Sequence, residues 1–262
     1  MRLMPPAAAV AAASALFLSL AGCMSTEVAQ VSKNFPQAAA SGPALPAMQD
    51  VGVVAQSATR RPNAEIAEDF LDLEFRLESG RALPVLTRFE GPITLALTGA
   101  VPAQAAGEMT RLIARYRAEA GLDIAHAPAG QPASITVEFV SRSALQRAVP
   151  NAACFVVPGV QSFAEFRAAS AATLDWSRLI TRRHAAVFIP ADTSAQEQRD
   201  CLNEETAQAM GPLNDLYHLT DSVFNDDNFN SVLTGFDMLM LRLHYAPELH
   251  SGMSRALSLI HI

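Results

Sequence analysis

The chain has little charge, few basic side chains and few cysteines, and each shortage excludes a class of protein. Charged residues make up 17% of its 262 positions, and 19 basic against 26 acidic side chains leave a formal net charge of −7. This acidic balance argues against nucleic acid as a partner, because such proteins carry clustered positive charge. Half of the residues are hydrophobic, which excludes global disorder. The length allows one or two domains.

Motifs of several common activities are also missing from the sequence. It contains no glycine-rich phosphate loop and no G-x-S-x-G nucleophile elbow. The acidic run at residues 225–228 lacks the spacing of an EF-hand loop, so we interpret it as side chains that make local turns. The six histidines do not form ligand spacings that are typical of zinc sites.

The N-terminal residues predict a signal peptide over 1–22. Arg2 supplies a positive start, and residues 7–20 form an apolar run of 14 residues, too short to span a bilayer comfortably. The sequence L-A-G-C that ends at Cys23 resembles the bacterial lipobox. The resemblance implies that Cys23 is lipidated, becomes the first mature residue and anchors the chain to a membrane. The alternative is an ordinary signal peptide that contains a cysteine.

The residues after Cys23 indicate how the protein is held at the envelope. Met24, rather than aspartate, follows the cysteine, which by analogy with lipoproteins implies an outer membrane location facing the periplasm. Residues 23–64 are rich in Ala, Ser and Pro and predict a flexible tether. We therefore expect a bacterial envelope protein with the membrane as one partner and an envelope protein or peptidoglycan as another.

Two cysteines remain in the mature chain, Cys154 and Cys201. Because exported compartments are oxidising, we expect them to form a disulfide. It would close a loop of about 47 residues and contribute on the order of 4 kcal/mol of stability in the chain-entropy model. The alternative is a pair of buried free thiols that pack as small hydrophobic side chains.

Hydrophobic periodicity predicts one α+β domain over residues 65–255. Alternation of apolar and polar residues over 71–77 predicts a strand. Helices are predicted by the 3.6-residue period, and one of them has a capping-box start at Thr193 or Ser194 with Glu197. The apolar residues 256–262 are expected to be a tail, either truncated or non-native. The other predicted strands cover 89–97, 135–140, 154–157 and 185–189, and the predicted helices cover 103–120, 162–179, 194–210 and 234–243.

The candidate site lies on the helix that follows the strand at 185–189. Glu204 and Gln208 are four residues apart and share one helix face, with Glu205 beside it. Gly211 permits a sharp exit from the helix. Paired carboxylates at such a position can act as general acid and base.

The same segment resembles the extended zinc-peptidase motif H-E-x-x-H-x-x-G-x-x-H-D with its metal ligands replaced. The three histidine places are taken by Glu204, Gln208 and Asn214. The general base, the turn glycine and the final aspartate are matched by Glu205, Gly211 and Asp215. The resemblance implies a zincin-like, especially metzincin-like, mixed sheet with an active-site helix and a C-terminal helix.

A narrower resemblance covers most of the domain. The sequences L-P-V-L-T-R-F-E-G-P-I at 83–93, S-V-F-N-D-D at 222–227 and L-T-G-F-D at 233–237 resemble the uncharacterised proteobacterial lipoproteins of domain of unknown function 2927. The resemblance implies a fold grouped with zinc peptidases, and it implies no particular activity.

Three functions remain open on the sequence. Glutamine and asparagine are weak zinc ligands, so we expect no cofactor and a non-catalytic binding or scaffolding module. The first alternative is a metal-independent hydrolase that uses Glu204, Glu205 and Asp215 on a cell-wall glycan or peptide. The second is a metallopeptidase with Glu205 as base and a metal held by Glu204 with His218 or Asp215. The side chains expected to line the cleft are Gln208, Asn214 and His218.

Lipidation can be tested by replacing its cysteine. We expect Cys23→Ser to abolish the acyl modification and the detergent-phase partitioning of the protein, because no thiol remains at the processing site. Ser25→Ala, two residues further on, serves as the control and should leave both unchanged. Mass spectrometry of the N-terminal peptide measures the modification, and an acylated Cys23→Ser protein would contradict the prediction.

Overall fold

The structure is a computed structural model that describes residues 61–227 and 230–262. The predicted signal peptide, Cys23 and most of the predicted tether lie outside the described residues. Within the described part of the chain, no helix has the length and apolar character needed to cross a membrane.

A five-stranded mixed sheet forms the centre of the fold. Its strands are β1 (Ile93–Gly99), β2 (Ile124–His126), β3 (Ile135–Val140), β4 (Phe155–Pro158) and β5 (Ala185–Pro190). They are arranged in the order β2-β1-β3-β5-β4, with β4 antiparallel to β5 and every other neighbouring pair parallel. All six residues of β5 are buried, as expected for an inner strand with both faces covered.

Seven helices surround the sheet in the described residues. They are α1 (Asn63–Glu74), α2 (Ala105–Glu119), α3 (Arg142–Ala148), α4 (Phe163–Ala168), α5 (Ala195–Met210), α6 (Gly235–His244) and α7 (Arg255–His261). A 3-10 turn covers Trp176–Arg178. The mixture of a five-stranded sheet and helices confirms the α+β class. The helices predicted over 103–120, 194–210 and 234–243 and the strands over 135–140, 154–157 and 185–189 are confirmed with small differences in their ends.

The side chains of β5 alternate between two hydrophobic clusters. Ala185, Val187 and Ile189 belong to a large cluster with residues of α1, α2, α5 and α6. Ala186 and Phe188 belong to a smaller cluster with residues of α3 and α4, where Phe155, Phe163, Phe166 and Phe188 have ring centroids 5.1–5.8 Å apart. The period of two along a strand therefore assigns α5 and α3 to opposite faces of the sheet.

The strand predicted over 71–77 is wrong, because α1 continues to Glu74. Phe70, Leu71, Leu73 and Glu74 are buried, and this spacing fits one helix face as well as it fits part of a strand. Over so few residues, the apolar pattern does not distinguish the two-residue period of a strand from the 3.6-residue period of a helix. The rest of the segment makes a single bridge between Arg76 and Ala82 around a turn at Gly80.

Both ends of the predicted domain differ from the structure. Helix α1 begins at Asn63, inside the predicted tether, and α7 occupies most of the predicted tail. Arg255 of α7 lies 3.3 Å from the carboxylate of Asp72 on α1, and Ser258 is buried.

The helix predicted over 162–179 is shorter than expected: α4 ends at Ala168, and a turn stabilised by Ser170 follows.

Helix α5 begins with a capping box and is joined by a covalent bond to the residue that precedes β4. Ser194 and Glu197 cap its first turn reciprocally, as predicted. Cys201 forms a disulfide with Cys154 at the start of β4, with their Cα atoms 6.0 Å apart, so the predicted pairing is confirmed. Twelve of the 16 residues of α5 are buried, which makes it an interior helix.

Candidate functional site

The carboxylates predicted to carry chemistry lie inside the protein. Glu204, Glu205 and Gln208 follow one another along the second half of α5, and each is 1% exposed. Asn214, in the loop after the helix, is 7% exposed. The sequence spacing correctly places the first three on one helix, but tertiary packing covers the face that they share.

Polar contacts join Gln208 and the loop after α5 to α1 and the turn that follows it. The side-chain amide of Gln208 donates to Glu78 at 3.2 Å, and that of Asn214 donates to the backbone carbonyl of Asp72 at 3.0 Å. The imidazole Nε2 of His218, which is an exposed side chain, lies 2.8 Å from Asp69. All three side chains expected to line a cleft therefore contact one segment, residues 69–78.

Asp215 contacts a later part of the same loop. Its carboxylate accepts the backbone N–H of Asp226 at 2.8 Å. The amide of Asn225 donates to the carbonyls of Tyr217 and Leu219 at 2.9 and 3.0 Å. These bonds agree with the interpretation of the Asx-rich run as local turns.

A buried carboxylate, Asp237, ties the same loop to α6. It accepts hydrogen bonds from the hydroxyl of Ser222 at 2.5 Å, the N–H of Thr234 at 2.6 Å and the N–H of Val223 at 3.2 Å. Burial raises the pKa of Asp237 to about 6, although these bonds act in the opposite direction. The carboxylate completes a capping box with Thr234 at the start of α6.

The sequence analysis missed Arg182, whose buried guanidinium caps the C-terminal end of α5. It donates to the carbonyls of Gln208 at 2.7 Å, Ala209 at 2.8 Å and Gly211 at 2.6 Å. Its Nε donates to the hydroxyl of Thr87 at 3.1 Å. A cation at this end of a helix satisfies the last carbonyls and complements their partial negative charge.

The surroundings of Arg182 keep it charged while burying it. The guanidinium lies 4.7 Å from the ring centroid of Trp176. Burial lowers the pKa of Arg182 to about 10, and the nearby Glu74 opposes that shift. A pKa near 10 leaves the side chain a cation at neutral pH.

Glu74 and His244 form a buried pair beside this cap. Nδ1 of His244 lies 2.9 Å from a carboxylate oxygen of Glu74, and both side chains are almost fully buried. The neighbouring Tyr245 donates its hydroxyl to the carbonyl of Met210 at 3.0 Å. The last residues of α1 and α6 thus meet the C-terminal end of α5.

The Glu74–His244 pair leaves little room for a side chain at Gly211. A Cβ there would lie 3.0 Å from Cγ and Nδ1 of His244 and 3.1 Å from an oxygen of Glu74. Its φ of −159° lies outside the left-handed region that favours glycine, and the constraint that the structure shows is the space around its Cβ position. The reason is close packing.

The arrangement does not fit a catalytic zinc ion. The amides of Gln208 and Asn214 already donate to protein oxygens, and amide oxygens are poor zinc ligands. Across residues 61–227 and 230–262, no group of three or more His, Cys, Asp or Glu side chains is placed to hold a metal ion.

The comparisons with known proteins identify the family. Residues 63–257 match the model of a family described as protein of unknown function (DUF2927). Because the match covers most of the chain, the protein belongs to this family. No curated protein and no solved structure matches the chain. Any function must therefore be argued from the residues of this chain.

The packing around Gly211 yields a stability prediction. Gly211→Ala should lower the free energy of unfolding by about 1–3 kcal/mol, because the added methyl overpacks the Glu74–His244 pair. Denaturant unfolding measures the loss. Gly91→Ala is the matched control, since an added Cβ meets no described atom within 4 Å there. Equal stabilities of the two variants would contradict this account.

Proposed function

We propose that this protein is a lipid-anchored envelope protein whose zincin-like domain is a non-catalytic binding or scaffolding module. The proposal is carried by the hydrogen bonds of Gln208 and Asn214, the residues at two ligand positions of the motif. Both side chains are buried, and their amides donate to Glu78 and to the carbonyl of Asp72. Side chains bonded in this way stabilise the fold and are not presented to a substrate.

The order of elements supports a zincin-like domain. Strand β5 leads directly into α5, which carries the motif, and a loop and the helix α6 follow. The same order of strand, motif helix, loop and C-terminal helix is what the resemblance to zinc peptidases implies. The motif glycine, Gly211, ends α5 as the resemblance implies.

The disulfide between Cys154 and Cys201 supports export, because such bonds persist in oxidising compartments. Together with the lipobox at Cys23, it favours an envelope location with the membrane as one partner. A second envelope protein or peptidoglycan would be the partner of the folded domain.

Burial disfavours the two catalytic alternatives. A glycosidase needs its carboxylates within reach of the bond that it cleaves, and Glu204 and Glu205 are each 1% exposed. The metallopeptidase alternative needs His218 or Asp215 as a ligand. Nε2 of His218 already contacts Asp69, and the carboxylate of Asp215 already accepts the N–H of Asp226. The structural role is therefore the interpretation that the contacts favour.

The structural role predicts a stability loss when these amides are removed. Gln208→Ala and Asn214→Ala should each lower the free energy of unfolding by about 1–3 kcal/mol, because Glu78 and the carbonyl of Asp72 lose a buried donor. Gln196→Ala, on the same helix, should have a smaller effect, since its amide lies 3.4 Å from Asp200 in a half-buried position. Unchanged or higher stability of the first two variants would favour a functional cleft instead.

Metal content tests the absence of catalysis separately. We expect the full-length protein, extracted in detergent without chelators or a histidine tag, to contain far less than one zinc per chain by elemental analysis. Equimolar zinc should leave its unfolding temperature unchanged, since a ligand that binds the folded state raises it. Stoichiometric zinc, with peptide cleavage that a chelator stops, would overturn the proposal in favour of the metallopeptidase.

A further inference from the structure

Helix α7 carries an apolar face that is exposed to solvent. Leu257, Leu259 and Ile260 are 41%, 48% and 76% exposed, whereas the polar Ser258 is buried. At about 100° per residue, the three apolar side chains lie on an arc of about 160°, with Ile260 nearly opposite Ser258. A surface helix ordinarily has the reverse pattern, with its apolar stripe toward the core. Neighbouring apolar side chains that are left exposed mark a contact site for a protein or a membrane.

Ile180 adds exposed hydrocarbon beside the segment that leads into α7. Its side chain is 62% exposed, and a Cβ on Gly252 would lie 3.6 Å from its Cγ2 atom. The N–H of Gly252 donates to the carbonyl of Leu86 at 2.9 Å, and the N–H of Leu86 donates to the carbonyl of Met253 at 2.8 Å. These bonds fix the start of α7 on the chain that leads into β1.

Basic side chains accompany the apolar ones. Helix α7 contains Arg255 and His261 and has no acidic residue. The half-exposed guanidinium of Arg255 lies 3.3 Å from Asp72, and the half-exposed guanidinium of Arg76 lies 3.7 Å from the same carboxylate. Guanidinium groups bind phosphate, and helices with an apolar face and basic residues lie in membrane interfaces. The composition of α7 therefore suits a phospholipid surface.

The predicted lipid anchor enters the domain close to this helix. Residues 24–60 separate Cys23 from Arg61, the first described residue. Helix α1 begins at Asn63, and Asp72, which contacts α7, lies about 14 Å further along the helix axis at a rise of 1.5 Å per residue. A lipid on Cys23 would keep a bilayer at high effective concentration near α7. Under that condition a weak contact is sufficient for binding.

The size of the apolar face favours a tethered bilayer over a second copy of the chain. A stable interface between two proteins takes about 20–30 residues from each side. The face of α7 has three exposed apolar side chains, with Ile180 beside the preceding segment. A lipid surface needs no complementary shape, and the anchor supplies most of the binding.

We propose that the apolar face of α7 lies on the bilayer that holds the lipid anchor. Leu257, Leu259 and Ile260 contact the acyl chains, and Arg255 lies at the phosphate layer. This inference rests on the lipid anchor of the proposed function and names the surface of the domain that meets the membrane. The folded domain then has one preferred orientation on the bilayer.

Quenching of an introduced tryptophan by brominated lipid tests the proposal. The sample is the full-length lipidated protein in vesicles of phosphatidylethanolamine and phosphatidylglycerol, with and without bromine on the acyl chains. Ile260→Trp should lose about half of its added emission in the brominated vesicles, because an interfacial helix buries its apolar face at the acyl boundary. The single native tryptophan, Trp176, is 2% exposed and gives a constant background.

Val101→Trp is the matched control. Val101 is 38% exposed and follows the carboxyl end of β1, whereas the start of α7 is bonded to Leu86, ahead of the amino end of that strand. The added emission at this position should not respond to bromine, although tryptophan itself favours membrane interfaces. Leu259→Gln, made in the Ile260→Trp protein, should reduce the quenching about twofold, because apolar area is lost from the face.

Flotation of the same vesicles separates anchoring from docking. Ile260→Trp protein that floats but is not quenched, or is quenched no more than Val101→Trp protein, would overturn the docking and leave the anchor in place. A blue-shifted tryptophan at this position without quenching would assign the face to a second copy or another protein and would also overturn the proposal. Protein that does not float would overturn the anchor on which the inference rests.

Discussion

The guanidinium of Arg182 bonded to the last carbonyls of α5 is the contact on which the polar interior depends. A buried cation is tolerated only where its donors are satisfied, and three helix carbonyls and a threonine hydroxyl satisfy them here. Glu74 lies close enough to oppose the loss of charge, and it pairs with His244 at the end of α6. Through Arg182 the ends of α1, α5 and α6 are joined at one point.

This joint explains why the motif on α5 is not an open site. The segment at 69–78 takes up the polar groups of Gln208, Asn214 and His218. The amides of Gln208 and Asn214 suit this closed arrangement, because they donate hydrogen bonds to residues 72–78.

Sequence patterns predict the elements that have a clear period, cap or apolar run. The 3.6-residue period predicts α2, the capping box of Ser194 and Glu197 predicts α5, and a short apolar run predicts β5. The buried residues of α1 near Leu71 also alternate over a short window, and this pattern predicts a strand where the structure has a helix. The shared helix face of Glu204 and Gln208 follows from spacing, whereas their burial does not.

The sequence alone determined the α+β class, the family, the pairing of Cys154 with Cys201 and the helical placement of the motif, because each depends on local pattern or on composition. The tertiary structure decided whether that motif faces solvent, which partner each amide takes, and why Gly211 has no side chain. Those outcomes depend on contacts between residues more than 100 positions apart, such as Asn214 with Asp72. Arg182 is the clearest case, because nothing in its local sequence indicates that a helix end will be brought to it.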